Sequence, residues 1–230
     1  MVLPREFYAR PTLEVLEDLI GKVLVHESRG RRASGVILEA EAYIGESDPA
    51  CHAAPGPTPR NAPLYGPPGI AYVYFNYGMH HLVNAVTESE GSPAAVLIRA
   101  LEPIEGQDLM RRRRARAGGR AASAIRDVDL CRGPGNLTAA LGIALAENRL
   151  DLTDSRLTIE DHGVRPPALA WTPRIGIRVG VDRKWRCSWA GHPGVSGRRM
   201  ENADASATDP TPSRRRRSPS SVDARAENRS

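Results

Sequence analysis

The stretch ILEAEAYIGESDPACHA, residues 37–53, sets two carboxylates two residues apart, a phenol two further on and an imidazole nine beyond that. On an extended chain alternate side chains share a face, so Glu39, Glu41 and Tyr43 point one way and Leu38, Ala40 and Ala42 the other. Two acids roughly 7 Å apart along a strand match the separation of about 6.5–9.5 Å used by inverting glycoside hydrolases. A second charge complicates that reading. Arg99 interrupts the apolar VLIRALEP, and burying a guanidinium is costly unless a carboxylate or an anionic ligand meets it. Glu41 is the natural partner, either as a structural cross-strand ion pair or as part of a site.

Three of the six tyrosines crowd into residues 72–77. Tyr72 and Tyr74 share a strand face, and Tyr77 falls past the alternation, beside Gly78. Aromatic faces near arginines can stack an unpaired base at about 1–3 kcal/mol each; amphipathic tyrosines also line ordinary sheet cores. His52 lies in a loop rich in Gly, Ser, Asp and Pro, a placement that suits a site, although a lone histidine is also a common structural residue.

These side chains need strands beneath them. GKVLVHE, ASGVILEAEAY, GIAYVYFNY, HHLVNAV and AAVLIRALE are rich in β-branched or aromatic residues and bounded by Gly, Pro or Ser. Leu13, Leu16, Leu19 and Ile20 recur at helical spacing after RPT. A helix is expected after Pro103 in PIEGQDLMRRRRARAG and another through GPGNLTAALGIALAE, followed by short strands at RLTIED, RIGIRVG and RCSWAG. Hairpins, then helices, then strands predict an α+β fold. The expectation is one domain over residues 1–199, a central, mostly antiparallel curved sheet flanked by helices. Residues 200–230 hold only Met200 and Val222 as sizeable apolar groups and are expected to be a disordered tail.

The net charge is +5, carried almost wholly by arginine, since only Lys22 and Lys184 are lysines among 32 basic residues. Arginine suits bidentate phosphate contacts and points to a polyanionic partner. The run 111–126 holds seven arginines and no acid until Asp127; it is either a phosphate-binding patch or a solvated face. Cys51, Cys131 and Cys187 have neither CxxC nor His-coupled spacing, which predicts reduced structural thiols and no zinc site. No apolar run approaches a membrane span, and charge enters the N-terminal segment too early for a signal peptide. The cytoplasm is the expected compartment, at the nucleoid if the source is prokaryotic.

Six blocks in order, EAEAYIGESDPACHA, TPRN, AYVYFNYGMHHLVN, AVLIRALEP, LCRGPGNLTAALGI and GHPGVS, resemble the alkyladenine DNA glycosylases, the family of 3-methyladenine DNA glycosylases. The resemblance runs from Leu3 to Arg199. It implies base excision from duplex DNA containing damaged purines, with the nucleotide turned out of the helix. It further implies that Glu41 is the general base for the attacking water and that Arg99 helps hold that water. Tyr43 matches one side of an aromatic sandwich, His52 and Tyr74 the other. The amides of the segment at Ala50 and His52 match contacts to the purine edge, Asn84 matches the residue that crowds the guanine amino group, and Tyr77 matches the minor-groove wedge.

Arg60 and the turn Gly133 to Asn136, including Gly135, are expected phosphate contacts, because amides at a helix start attract anions. Glu39 has no family role and reads as structural. Neither lysine falls in a motif, so a Schiff base is not expected and the enzyme is read as monofunctional. No metal or cofactor is implied, and a monomer is expected. One departure stands out: CSWAGHPGVSG places Ser188 and Trp189 where a continuous apolar strand is expected. Two other readings stay open, a damage-binding module without catalysis and the inverting O-glycoside hydrolase above.

Overall fold

The computed structural model of this chain describes residues 1–76, 78–119 and 121–197. Tyr77 and the segment expected to be a disordered tail lie outside the described residues. Among the described residues eight antiparallel strands are seen: β1 (Val23–Ser28), β2 (Arg31–Ile44), β3 (Ala71–Asn76), β4 (His80–Val86), β5 (Ala94–Glu105), β6 (Leu157–Glu160), β7 (Leu169–Thr172) and β8 (Arg186–Trp189). The main path is β3-β4-β5-β2-β1-β6. The long β2 is the spine of this curled sheet. Its first half pairs with β1, its second half with β8 through Glu39↔Ser188 and Glu41↔Arg186, and its other edge with β5.

Irregular pairing on that spine decides what faces where. Between Ile37↔Leu101 and Glu39↔Ala100 the spine gains a residue, Leu38, and between Glu39↔Ala100 and Ala40↔Ile98 its neighbour gains one, Arg99. A bulge re-aims the side chains that follow it, since the strand period is two. Ala33 and Ile37 accordingly join the main core from odd positions, and Ala40 and Ala42 from even ones. Leu38 leaves the Ala40/Ala42 face on which strict alternation places it and packs at Gly194, where any β-carbon would meet its Cδ1 at 2.7 Å.

Helix α1 (Arg5–Tyr8) leads into α2 (Thr12–Leu19), which buries Thr12, Val15, Leu16 and Leu19. That is an i, i+3, i+4, i+7 stripe, with Val15 in the place expected of Leu13, which is exposed. Each fully buried Leu or Val contributes about 1.5–3 kcal/mol. Helix α4 (Pro134–Leu141) packs on β4 and β5 and carries α3 (Gln107–Gly118) on its outer side.

Three expected boundaries are corrected. The strand AAVLIRALE runs on through Pro103 to Glu105, and the helix begins only at Gln107, after Gly106 turns the chain at φ 76°. The helix expected through residue 147 stops at Leu141 because Gly142 adopts φ 75°, and only a 3-10 turn follows at Leu145–Glu147. RIGIRVG alternates like a strand but is irregular: Gly176 and Gly180 take φ 81° and 61°, and the strand in this part of the chain is the earlier Leu169–Thr172.

The arginine run also resolves. Arg111 donates to the carbonyl of Ile125 at 2.6 Å and pairs with Asp127, Arg113 donates to that of Leu141 at 2.6 Å, and Arg114 to that of Leu130 at 3.0 Å. These three tie down a connection and the end of α4, where carbonyls lack helical partners; Arg112 and Arg116 are exposed. The three cysteines are free and buried. Among the described residues no helix is long and apolar enough to cross a membrane.

Candidate active site

The bulge at Arg99 turns its guanidinium between the two glutamates of the spine. Nε donates to Glu39 Oε1 at 2.9 Å and Nη1 to Glu41 Oε2 at 3.1 Å. Both carboxylates are fully buried, at 0% exposure. They flank one cation rather than a substrate space, so the paired-acid hydrolase geometry is not what the strand builds.

Glu41 accepts from three donors. Besides Arg99, its Oε1 takes the Ile175 amide at 2.7 Å and its Oε2 the Tyr43 hydroxyl at 2.9 Å. All three donor residues line a cavity of ≈ 350 Å³, within the range of ligand sites. The carboxylate thus lies behind the cavity wall, hydrogen-bonded to three residues that line it. Burial pushes the Glu41 carboxyl up from its ordinary range; the Arg99 charge and the Ile175 and Tyr43 hydrogen bonds oppose that shift without cancelling it. A carboxylate raised in this way accepts a proton more readily.

The other cavity walls come from β3, β4 and the loop after β2. Tyr74 and His52 meet edge to face at a centroid distance of 4.5 Å, and the Tyr72 hydroxyl lies 2.9 Å from His52 Nδ1. Burial, then the charge of Arg60, lower the His52 pKa, so the ring is neutral at pH 7. Asn84 donates its amide to the Tyr72 carbonyl at 2.9 Å and, like Ala50, lines the cavity. The Ala50 N–H is donated to Asp48 Oδ1 at 3.2 Å. Tyr43, Ala50, His52, Tyr74, Asn84 and Arg99 therefore converge on one space.

The residues expected at phosphates are placed differently. Arg60 donates to the Phe75 carbonyl at 3.2 Å and lies over the Tyr74 ring at 5.9 Å, at the exposed end of β3. Gly133 takes φ 102° to open α4, and Asn136 closes that turn by donating to the Arg132 carbonyl at 2.7 Å. Gly135 sits against His80, whose ring a β-carbon would meet at 2.7 Å. The turn is thereby joined to the β3–β4 hairpin, and Pro134 reaches the cavity.

Sequence reasoning missed the groups that hold the acids. Glu39 is a hub: Oε1 accepts from Arg99 Nε, from Arg186 Nε at 2.6 Å and from Ser196 Oγ at 2.9 Å, while Oε2 accepts the Ser196 amide at 2.6 Å. Arg99 Nη2 reaches Ser196 Oγ at 3.3 Å. GHPGVS thus docks its serine on the acid expected to be structural, and Ser188, unexpected in an apolar strand, sits opposite that acid in the sheet. Asp48 and Arg174, both absent from the expected site, form a second buried pair beside Tyr43. A buried acid within ESDP and an arginine flanked by Pro173 and Ile175 carry no local mark of pairing; only the rule that a buried charge needs a counter-charge could have prompted the search.

The family model described as methylpurine-DNA glycosylase matches residues 6–193. Among curated proteins, one from Burkholderia cenocepacia strain HI2424 is 48% identical over 199 residues, covering 85% of this chain and 91% of its own. One from Methanocella arvoryzae is 47% identical over 86% of this chain and 96% of its own, and one from Prosthecochloris aestuarii 44% identical over 84% and 89%. Each bears the name "Putative 3-methyladenine DNA glycosylase".

Proposed function

Since this chain belongs to the methylpurine-DNA glycosylase family, and so among enzymes that act on DNA, we propose that it excises alkylated or deaminated purines from duplex DNA with a water activated by Glu41. The observation that carries the proposal is the carboxylate at the back of the cavity, fully buried and hydrogen-bonded by Tyr43, Arg99 and Ile175, all of which line that cavity.

A nucleotide turned out of the duplex brings its purine between Tyr43 on one side and His52 with Tyr74 on the other. A water entering beside Arg99 and Tyr43 meets Glu41 Oε2, which takes its proton as the oxygen bonds to the anomeric carbon. The glycosidic electron pair leaves with the purine. An alkylpurinium cation departs neutral, whereas hypoxanthine or ethenoadenine departs as an anion that takes a proton from solvent water. The same carboxylate stabilises positive charge on the sugar before attack. Neutral His52 and the two phenols offer electron-rich faces to a cationic base without opposing its charge. With the Ala50 N–H already donated to Asp48, the purine edge is left to His52, and Asn84 crowds a guanine amino group.

Neither Lys22 nor Lys184 lines the cavity, which favours water as nucleophile and a monofunctional reaction that leaves an abasic site. The proposal is of a monomer working wherever the DNA lies, in the cytoplasm at the nucleoid if the source is prokaryotic. Tyr77, outside the described residues, keeps its assignment as the wedge that replaces the flipped nucleotide. Arg60 and the Gly133–Asn136 turn keep theirs as phosphate contacts. The test is incubation with duplexes carrying 3-methyladenine, 7-methylguanine, hypoxanthine or ethenoadenine, followed by alkaline cleavage. Strand breaks at the lesion after alkali, and none before it, are expected. No breaks with any lesion would remove the proposal, and breaks before alkali would remove its monofunctional part.

A further inference from the structure

We infer that the buried Asp48–Arg174 pair, acting through Tyr43, sets the preference of this cavity between cationic and neutral purines; the inference rests on the base-excision reading above. Both side chains are completely buried, and the pairing is two-pronged: Arg174 Nη1 donates to Asp48 Oδ2 at 2.5 Å and Nη2 to Oδ1 at 2.8 Å. The guanidinium carbon lies 4.7 Å from the centre of the Tyr43 ring and 5.2 Å from that of Trp185. Tyr43 lines the cavity and Arg174 does not. The cation is therefore stacked on the wall that a purine would stack against, from outside the cavity.

Arg99, whose Nη1 donates to the Glu41 Oε2 that also accepts the Tyr43 hydroxyl, is a second cation near that ring. Arg183 Nη1 stands 3.6 Å from Asp48 Oδ1 with its guanidinium over Trp185 at 4.5 Å, and Glu41 accepts the Tyr43 hydroxyl. A cation stacked on a ring draws on the negative face that would otherwise attract a second cation. Asp48 balances Arg174, so the cavity face of Tyr43 keeps its attraction for an alkylpurinium. Left alone, a unit charge about 8–10 Å from a second one at an effective dielectric of about 20 changes an equilibrium by roughly tenfold to thirtyfold. A neutral purine feels little of this.

The pair also holds geometry. Asp48 accepts the amides of Ala50 and Ile44, and Arg174 donates to the Ala42 carbonyl while preceding Ile175, whose amide serves Glu41. Loss of either partner will slow every substrate for that reason. The discriminating quantity is thus the ratio of rates, which a purely structural role does not move.

The experiment measures single-turnover excision of 7-methylguanine and of hypoxanthine from the same duplex sequence by the full chain and by D48N, R174M and D48N/R174M, with thermal melts of each. For D48N the ratio of 7-methylguanine to hypoxanthine excision is expected to fall at least tenfold. For R174M it should rise several-fold, and in the double variant it should return to within about threefold of the parent. Both rates falling by one common factor in the folded single variants overturns the inference while leaving the base-excision reading intact. Failure of the parent to excise either lesion removes the reading itself. If a single variant does not fold, R183M removes the outer cation without breaking the buried pair. Its ratio should rise about twofold to threefold, and an unchanged ratio overturns the inference.

Discussion

Glu39→Gln is the perturbation that reaches furthest into the buried network, because it keeps the shape of the hub and removes its charge. Glu39 accepts four hydrogen bonds, from Arg99 Nε, Arg186 Nε, Ser196 Oγ and the Ser196 amide, and is 0% exposed. A glutamine has one acceptor oxygen for those sites. Placed toward Oε1, it keeps the arginines but sets an NH₂ against the Ser196 N–H; placed the other way, it faces two guanidinium groups. The milder arrangement strands one buried donor, about 1–3 kcal/mol. Both leave Arg99 and Arg186 with Glu41 as the remaining carboxylate of the network, and uncompensated buried charge costs about 3–5 kcal/mol.

The expected destabilisation is therefore about 3–5 kcal/mol. For a domain of this size that is a fall in Tm of roughly 6–20 °C. Denaturant titration of parent and variant at neutral pH, with thermal melts beside it, measures this. A second readout separates positioning from mere packing. The charge of Glu39 adds to the upward push on the Glu41 carboxyl, so in the variant the acid limb of excision should move to lower pH. A loss below about 1 kcal/mol, with an unmoved acid limb, would show that Glu39 does not hold Arg99 and that the hub carries no energy.

In the parent, excision should fail with acid at a pH above the ordinary carboxylate range of about 4.3, because burial raises the Glu41 carboxyl and its protonated form cannot take the water's proton; a limb at or below that range contradicts the raised value. The linked effect on folding has the opposite sense. A raised folded-state pKa gives stability that is complete below the unfolded value and is lost as pH rises through the folded one, so Glu41→Gln should lessen that loss, as urea titrations across the acid range would show. Tyr72→Phe removes the hydroxyl 2.9 Å from His52 Nδ1. It should cost about 1 kcal/mol of stability and, by freeing the imidazole, slow excision roughly tenfold; an unchanged rate separates His52 from the stack. Gly135→Ala places a methyl 2.7 Å from the His80 ring and should cost about 1–3 kcal/mol as helix and hairpin are forced apart, measured by melting; no loss would mean that the two elements part freely.

Physical rules explain which parts of the molecule could be read before its structure. The strand carrying the two glutamates, its hairpin partners and the burial of Arg99 beside Glu41 follow from alternation and from the cost of an unpaired buried charge. The convergence of Tyr43, His52, Tyr74 and Asn84 on one cavity came from the family resemblance, since no local pattern brings residues 43–52 to residues 74–84. What stayed hidden depends on irregularity and on distance along the chain. The bulges at Leu38 and Arg99 have no sequence mark, yet they turn one guanidinium onto both acids and convert Glu39 from an apparent spare into a hub. Ser196, Arg186 and Arg174 reach Glu39 and Asp48 from across more than a hundred residues. The arginine run showed its charge but not its targets, because backbone carbonyls at loop and helix ends leave no signature in composition.

The most direct test of the account is single-turnover excision by Glu41→Gln set beside its affinity for the same lesion-bearing duplex. A drop of roughly 10²–10⁴-fold in excision, with binding kept within a few-fold of the parent, is the predicted result. Excision at the parent rate would show that the buried carboxylate behind Tyr43, Arg99 and Ile175 does not activate the water.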